Sequence, residues 1–348
     1  MEPSRVLLIA ERPGRSGGPA AWAHGLVAAL ARAGVDAVLV YASDGQATAR
    51  AAATLGEGTI LHTYSQPPSS LAAARAARRA GAKVVHTIHG DIFAEAASKR
   101  GIKRLLWLPF NRRAFAAADA LTVPATYLRE RLEAGEPALA GRLTVIPNGI
   151  ETERLASCNP YDRETDLGVP ASAFLVVSVT SFKHRAKAEG ALALCHAVRE
   201  LAANGVPIQA LIAGDGPLRP EMERACKTQQ VRFLGHIDDA PRLIVSADAF
   251  VHATGLDVLP YAVLDALAAG TPALVSAVGG IPEAVGDAAL LVLPGDAAAL
   301  SRGLRDLATD PALRLRLAEA GRARAAAFDW DYLVREKWLP LYRQVLGG

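Results

Sequence analysis

The sequence predicts an α/β protein built from two doubly wound, Rossmann-like domains. Three observations lead there. Short, nearly continuous apolar runs such as Val6-Leu7-Leu8-Ile9 recur along the chain, as expected of parallel strands covered on both faces. Helical stretches separate these runs throughout, the alternation of βα units. The pattern restarts near Ala173 after a polar stretch, and 348 residues suit two domains.

Composition narrows the class. Half of the residues are apolar, enough for two cores, and no apolar run reaches the roughly eighteen residues that span a bilayer. The run 6–10 is too short for a signal peptide. Cys158, Cys195 and Cys226 are odd in number and lack ligand spacing, so they read as thiols in a reducing cytoplasm. The net charge of +3 is uneven: residues 1–155 carry about +6 and the remainder about −3. A mildly basic first half suits an anionic acceptor or an acidic membrane surface, or is ordinary solvated charge. Nothing points to nucleic acid.

The first strand, over 5–10, is followed by a loop with Gly14, Gly17 and Gly18, a helix over 19–33 stopped by Gly34, and a strand over 35–40. The Gly-rich turn sits at the carboxyl end of the first strand, where ligands bind in such sheets. Its spacing fails G-x-G-x-x-G, so a dinucleotide site is a poor reading. A tight turn before a helix needs the same glycines. Strands follow over 59–62 and 83–88, with a helix over 69–80. His89 comes directly after the fourth strand, again at a carboxyl end. His62 and His86 fall inside strands and read as packing residues. Residues 99–113 are basic with apolar residues interleaved, and Pro109 interrupts them. The stretch is either a helix on the sheet with snorkelling Lys and Arg or a peripheral contact with an anionic membrane.

The stretch 152–170 reads as a linker. The second domain opens with a strand over 173–179, and its βα loop over 180–190 holds Lys183, His184, Arg185 and Lys187. Strands over 208–213 and 231–234 follow, Asp238-Asp239 reads as a helix cap, and 249–252 leads into the next segment. Asp257 lies in a loop ending at Pro260, which suits the first turn of a helix over 261–269. Gly270 is its left-handed cap. A strand over 273–276, Gly279-Gly280 and a helix opened by Pro282 and Glu283 complete the segment. Asp257 and Asp265, eight apart, are expected near the helix mouth, where free N–H groups favour phosphate. After the strand over 290–293 the chain is helical, with Asp329 and Asp331 at a helix start.

The segment 252–285 resembles the donor-site signature of the retaining, nucleotide-sugar-dependent glycosyltransferases of family 4, which have the GT-B fold. The family pattern has two Glu eight apart; here both are Asp, and Val258 stands where Gly is usual. Pro147-Asn148-Gly149-Ile150-Glu151, Gly214-Asp215-Gly216-Pro217-Leu218 and Phe328-Asp329-Trp330 resemble further family motifs in the same order, so the likeness covers nearly the whole chain. It implies two domains facing across a cleft: an acceptor-side domain over 1–155, a nucleotide-sugar domain over 156–329, and a final helix over about 330–348 crossing back to the first.

The resemblance also assigns roles. His89 would lie beside the transferring sugar, and Gly17 and Gly18 would approach donor phosphate and acceptor. Lys187 would neutralise the leaving diphosphate, with Arg185 in place of an absent Gly-Arg pair. Gly214 and the backbone of His236 and Ile237 would frame the nucleotide. Asp257 would hold a sugar hydroxyl, Asp265 the ribose, and Glu283 the loop, with Leu259 and Pro260 at the helix mouth. UDP is expected rather than GDP, with no cofactor and no metal, since the one Asp-x-Asp spacing, Asp329 and Asp331, sits at a helix start where Asp caps. Transfer to an acceptor hydroxyl with retention, in bacterial glycan, glycolipid or glycosylated-metabolite synthesis, is the expected reaction, in the cytoplasm or at its membrane face. The alternatives are a catalytically weakened scaffold, favoured by the shortened Asp pair, and a sugar-nucleotide epimerase.

Overall fold

The computed structural model describes residues 2–10, 18–41, 45–64, 67–99 and 101–347. The chain divides into two units, Met1–Gly149 with Phe328–Gly348, and Ile150–Ala327.

The first unit runs β1 (Arg5–Ala10), α1 (Gly18–Arg32), β2 (Ala37–Tyr41), α2 (Gly45–Ala52), β3 (Thr59–Thr63), α3 (Pro67–Arg79), β4 (Lys83–Thr87), α4 (Ile92–Ser98), α5 (Ile102–Ala117), β5 (Ala120–Val123), α6 (Thr126–Gly135) and β6 (Leu143–Val145). All strand pairs are parallel, in the order β2-β1-β3-β4-β5-β6. Val6, Leu8, Ile60, Leu61 and Val85 are fully enclosed, which is why these strands read as unbroken apolar runs. Helix α5 continues through Pro109, against the expected interruption. Proline there removes the bond to the carbonyl four residues back, on Leu105. Leu105 itself is 75% exposed, so this stretch of α5 lies on the surface.

The second unit runs α7 (Thr152–Ala156), β7 (Phe174–Val179), α8 (Arg185–Ala203), β8 (Ile208–Ala213), α9 (Arg219–Ala225), β9 (Val231–Gly235), α10 (Ala240–Val245), β10 (Ala249–His252), α11 (Tyr261–Ala269), β11 (Ala273–Ser276), α12 (Ile281–Val285), β12 (Leu290–Val292), α13 (Ala297–Thr309) and α14 (Pro311–Ala325). Its sheet is also all parallel, in the order β12-β11-β10-β7-β8-β9. The strand order reverses between β7 and β10. Ligands of open α/β sheets bind outside the carboxyl ends of the strands at such a point.

Two expectations are corrected here. The polar stretch 152–170 is packed on the second unit rather than spanning free as a linker: Arg163 makes a two-pronged ion pair with Asp248 at 2.9 Å, and the Tyr161 N–H donates to Ser246 Oγ at 2.8 Å. Cys195 and Cys226, read as thiols, form a disulfide across α8 and the end of α9, with Cα atoms 5.7 Å apart. That separation lies in the range a disulfide needs; Cys158 is free.

The chain then returns to the first unit through α15 (Trp330–Leu333), a π-helical turn over Val334–Trp338, and α16 (Leu339–Val345). Asp329 caps α15 by accepting the N–H groups of Asp331 and Tyr332 at 2.9 and 3.2 Å. The Trp330 indole lies against Gly25 and Gly149, where any side chain would collide with it. Trp338 and Tyr342 are fully enclosed against Trp22 and His62.

Candidate active site

The reversal point of the second sheet carries a cluster of charge. Lys187 lies in the first turn of α8, just past β7, rather than in the loop expected there. Its Nζ is 2.7 Å from Asp257 Oδ2, an oxygen that also lies 3.2 Å from His252 Nε2. His252 is the last residue of β10, so the cluster joins the carboxyl ends of the two strands that flank the reversal. Burial alone would raise Asp257. The hydrogen bond with His252 and the Lys187 charge outweigh it and hold the carboxyl down at about 2. Asp257 is therefore an anion in a shielded place.

The loop that carries Asp257 is pinned by its backbone. The Gly255 N–H donates to the Ala186 carbonyl at 2.9 Å, the Thr254 N–H to Ser276 Oγ at 3.0 Å, and the Gly280 N–H to the Val258 carbonyl at 2.7 Å. Gly279 has φ +58, and a Cβ there would strike the Asp257 carbonyl, so the Gly-Gly turn and the acidic loop fit only as a pair. Leu259 is buried, Pro260 precedes α11, and Gly270 caps it at φ +69 in the left-handed region. Glu283, on the first turn of α12, offers its carbonyl to Arg324.

Asp265 differs from Asp257. It sits in the second turn of α11, and burial pushes its carboxyl up to about 7, with Arg154 of α7 pulling the other way. Arg185 does not stand free beside Lys187. It is exposed and forms a two-pronged ion pair with Glu221 at 3.0 Å. Gly214 has φ +131, and a Cβ would collide with the Thr180 carbonyl. Its bareness keeps the two βα loops in contact. His236 is half-exposed, 3.3 Å from Asp238, and Ile237 is partly buried beside it.

In the first unit, Gly17 lies outside the described residues and Gly18 opens α1. His89 follows β4 and meets Trp22 and Tyr64 edge-on, with ring centres 4.8 and 6.0 Å away. Its Nε2 is buried and makes no hydrogen bond among the described residues. Burial, assisted by His86, brings it down to about 3, so it is neutral. Behind it His62 hydrogen-bonds the Tyr342 hydroxyl at 2.7 Å and Thr87 Oγ1 at 2.8 Å, and Thr87 reaches Thr122 Oγ1 at 2.7 Å.

His252 escaped the sequence reading. The signal that singled out His89, a polar residue at a strand's carboxyl end, applies equally to His252. Among the described residues no three His, Cys, Asp or Glu side chains gather as metal ligands. No helix there is long and apolar enough to cross a membrane.

Two Rossmann-type units, one with a cation–carboxylate cluster at its reversal point, define an open α/β protein whose ligand site is expected at that point. Comparison narrows this. The model of Glycosyltransferase Family 4 matches residues 48–154, and that of Glycosyl transferases group 1 matches residues 173–310. A 2-deoxystreptamine glucosyltransferase of Streptomyces kanamyceticus is 28% identical over 280 residues, 75% of this chain and 70% of the relative. Sucrose-phosphate synthase from Thermosynechococcus elongatus shares the fold at TM-score 0.80 and 22% identity, over 99% of each chain. Anabaena Alr3699/HepE, solved in complex with UDP and glucose, follows at TM-score 0.76 and 18% identity, covering 97% of this chain and 99% of that one. The chain belongs to the retaining, nucleotide-sugar-dependent glycosyltransferases of the family-4 type, with the GT-B fold.

Proposed function

We propose that this enzyme takes its sugar from a UDP-sugar, and that the second unit binds the donor while the first receives the acceptor. The observation that carries the reading is the Lys187–Asp257 pair at the carboxyl ends of β7 and β10. The leaving nucleoside diphosphate develops negative charge, which must be met where it departs. Lys187 and the N-terminal end of α8 supply positive charge there. Asp257, ionised and half-shielded, accepts a hydrogen bond from a hydroxyl of the transferred sugar. Asp265 accepts from the ribose, and His89 is the first unit's candidate for contact with the transferring sugar. Arg185 joins the diphosphate only by giving up Glu221. The choice of UDP is supported by the UDP and glucose held by the Anabaena structure.

A thermal-shift screen with UDP, GDP, ADP and their sugars tests this. A ligand at about a hundred times its Kd stabilises the folded state by about 2.7 kcal/mol. A rise with UDP and one UDP-sugar is expected. A response to GDP alone would overturn the base, and none at all the donor site.

One surface favours a fuller form of the reading, an enzyme touching the face of an anionic membrane. Ile102 and Leu105 on α5 are 70% and 75% exposed, with Leu106 and Arg104 exposed beside them. Apolar side chains among cations suit an anionic bilayer. Flotation with vesicles containing phosphatidylglycerol, lost in Leu105→Ser, is the expected result.

A further inference from the structure

The Asp257 carboxylate is held twice on one oxygen. Lys187 Nζ and His252 Nε2 both meet Oδ2, at 2.7 and 3.2 Å, while Oδ1 accepts the Val258 N–H at 3.2 Å. The two holders differ in freedom. Lys187 swings on a flexible four-carbon stem with three rotatable donors. His252 is 3% exposed, pairs in register with Val275 and stacks on Phe250 with ring planes 9° apart. With the loop backbone pinned separately, what remains to be set at Asp257 is the direction of its carboxylate.

The ring's proton can be placed. His252 Nδ1 is buried and makes no hydrogen bond among the described residues. A proton there would be a buried donor without an acceptor, which is costly. The network therefore assigns the proton to Nε2, which donates it to Asp257.

We propose that His252 is a positioning residue for sugar transfer: it keeps the Asp257 carboxylate aimed at a sugar hydroxyl when Lys187 turns to the donor diphosphate. The inference rests on the donor-site reading above. If Lys187 alone held Asp257, neutralising the leaving group would release the carboxylate that grips the sugar. A second holder, fixed in the sheet, separates the two tasks.

Two variants distinguish this from a packing role. Gln at 252 places an amide near the position of Nε2, whereas Asn places one near Nδ1 and falls short of Asp257. Wild type, His252→Gln and His252→Asn are titrated by calorimetry with UDP and with UDP-glucose, UDP-galactose and UDP-N-acetylglucosamine. The sugar nucleotide that wild type binds best is taken forward. His252→Asn is expected to bind it about tenfold more weakly, with UDP affinity kept within about twofold, and His252→Gln to recover to within about threefold of wild type. His252→Leu replaces the Asn variant should that one not fold. Sugar-nucleotide affinity unchanged without the donor, or UDP and sugar nucleotide weakened alike, overturns the proposal. A wild type that binds neither UDP nor any sugar nucleotide overturns the donor-site reading itself.

Discussion

Each unit buries histidine, three residues in the first and His252 in the second, and the surroundings are opposite. In the first unit His62, His86 and His89 are packed among aromatic rings and threonine hydroxyls, and burial drives all three toward the neutral form. In the second, His252 faces a carboxylate that is shared with a lysine. The first arrangement spends its hydrogen bonds on joining strands to the returning C-terminal helix. The second fixes an anion where a ligand can reach it. Damage to His62 or His86 should therefore appear in stability, and damage to the second in turnover.

The largest expected effect is on Lys187. Lys187→Ala should lower turnover with a nucleotide-sugar donor by at least about tenfold, because counter-charge at the leaving group is lost. It should still fold, with a melting temperature lowered because Asp257 loses one of the two groups that hold its charge. A large fall in stability with unchanged turnover would erase the contrast between the units.

The counterpart lies in the first unit. Tyr342→Phe leaves His62 Nδ1 buried without its hydroxyl partner, which should cost about 1–3 kcal/mol of stability. Affinity for UDP should not change. Urea unfolding followed by tryptophan emission is a direct measure, because Trp22, Trp107, Trp330 and Trp338 all lie in the first unit.

Acid should separate the units in sign. The three buried histidines bind protons less readily folded than unfolded, so their contribution is complete above about pH 6.5 and is lost as pH falls toward 4 and below. Asp257 keeps its contribution until pH drops below about 3.8, because its folded value is about 2. Asp265 has the reverse sign: raised to about 7, its ionised form burdens the fold above that pH and is relieved as pH falls from 7 toward 3.8. Tryptophan emission should thus report weakening between pH 6.5 and 4 while amide exchange in the second unit does not. The smallest effect follows: Asp265→Asn should raise the melting point at pH 8, keep only part of that gain at pH 5 and lose it below about pH 3.8, and weaken UDP binding at pH 8 and pH 5.

Much of this was legible in the sequence. The strands announced themselves because both faces of each sheet are covered, so polarity does not interrupt them. Helix α11 was readable from Pro260 to Gly270 because both ends are set by backbone chemistry carried by single residues. Lys187 and Asp257 stood out because they follow strands. Partnerships across long separations were not legible. Arg185 looked like a free cation until Glu221, on another helix, was seen to hold it. Cys195 and Cys226, separated by 31 positions, show no spacing that betrays their bond. Helix α5 passes through Pro109 although proline usually ends or kinks a helix, so the residue alone did not decide the local structure.

The first unit is assembled from the two ends of the described chain, with the whole second unit threaded between them. On the ribosome this reverses the expected order. Residues up to Gly149 emerge first but lack Trp330, Trp338 and Tyr342, so Trp22 and His62 wait without their cover. The second unit, contiguous over Ile150–Ala327, can close while its elder neighbour is still unfinished. The first unit is thus completed only after the second has been made, and a ribosome that stalls before residue 328 leaves a chain whose second unit is whole and whose first unit is not.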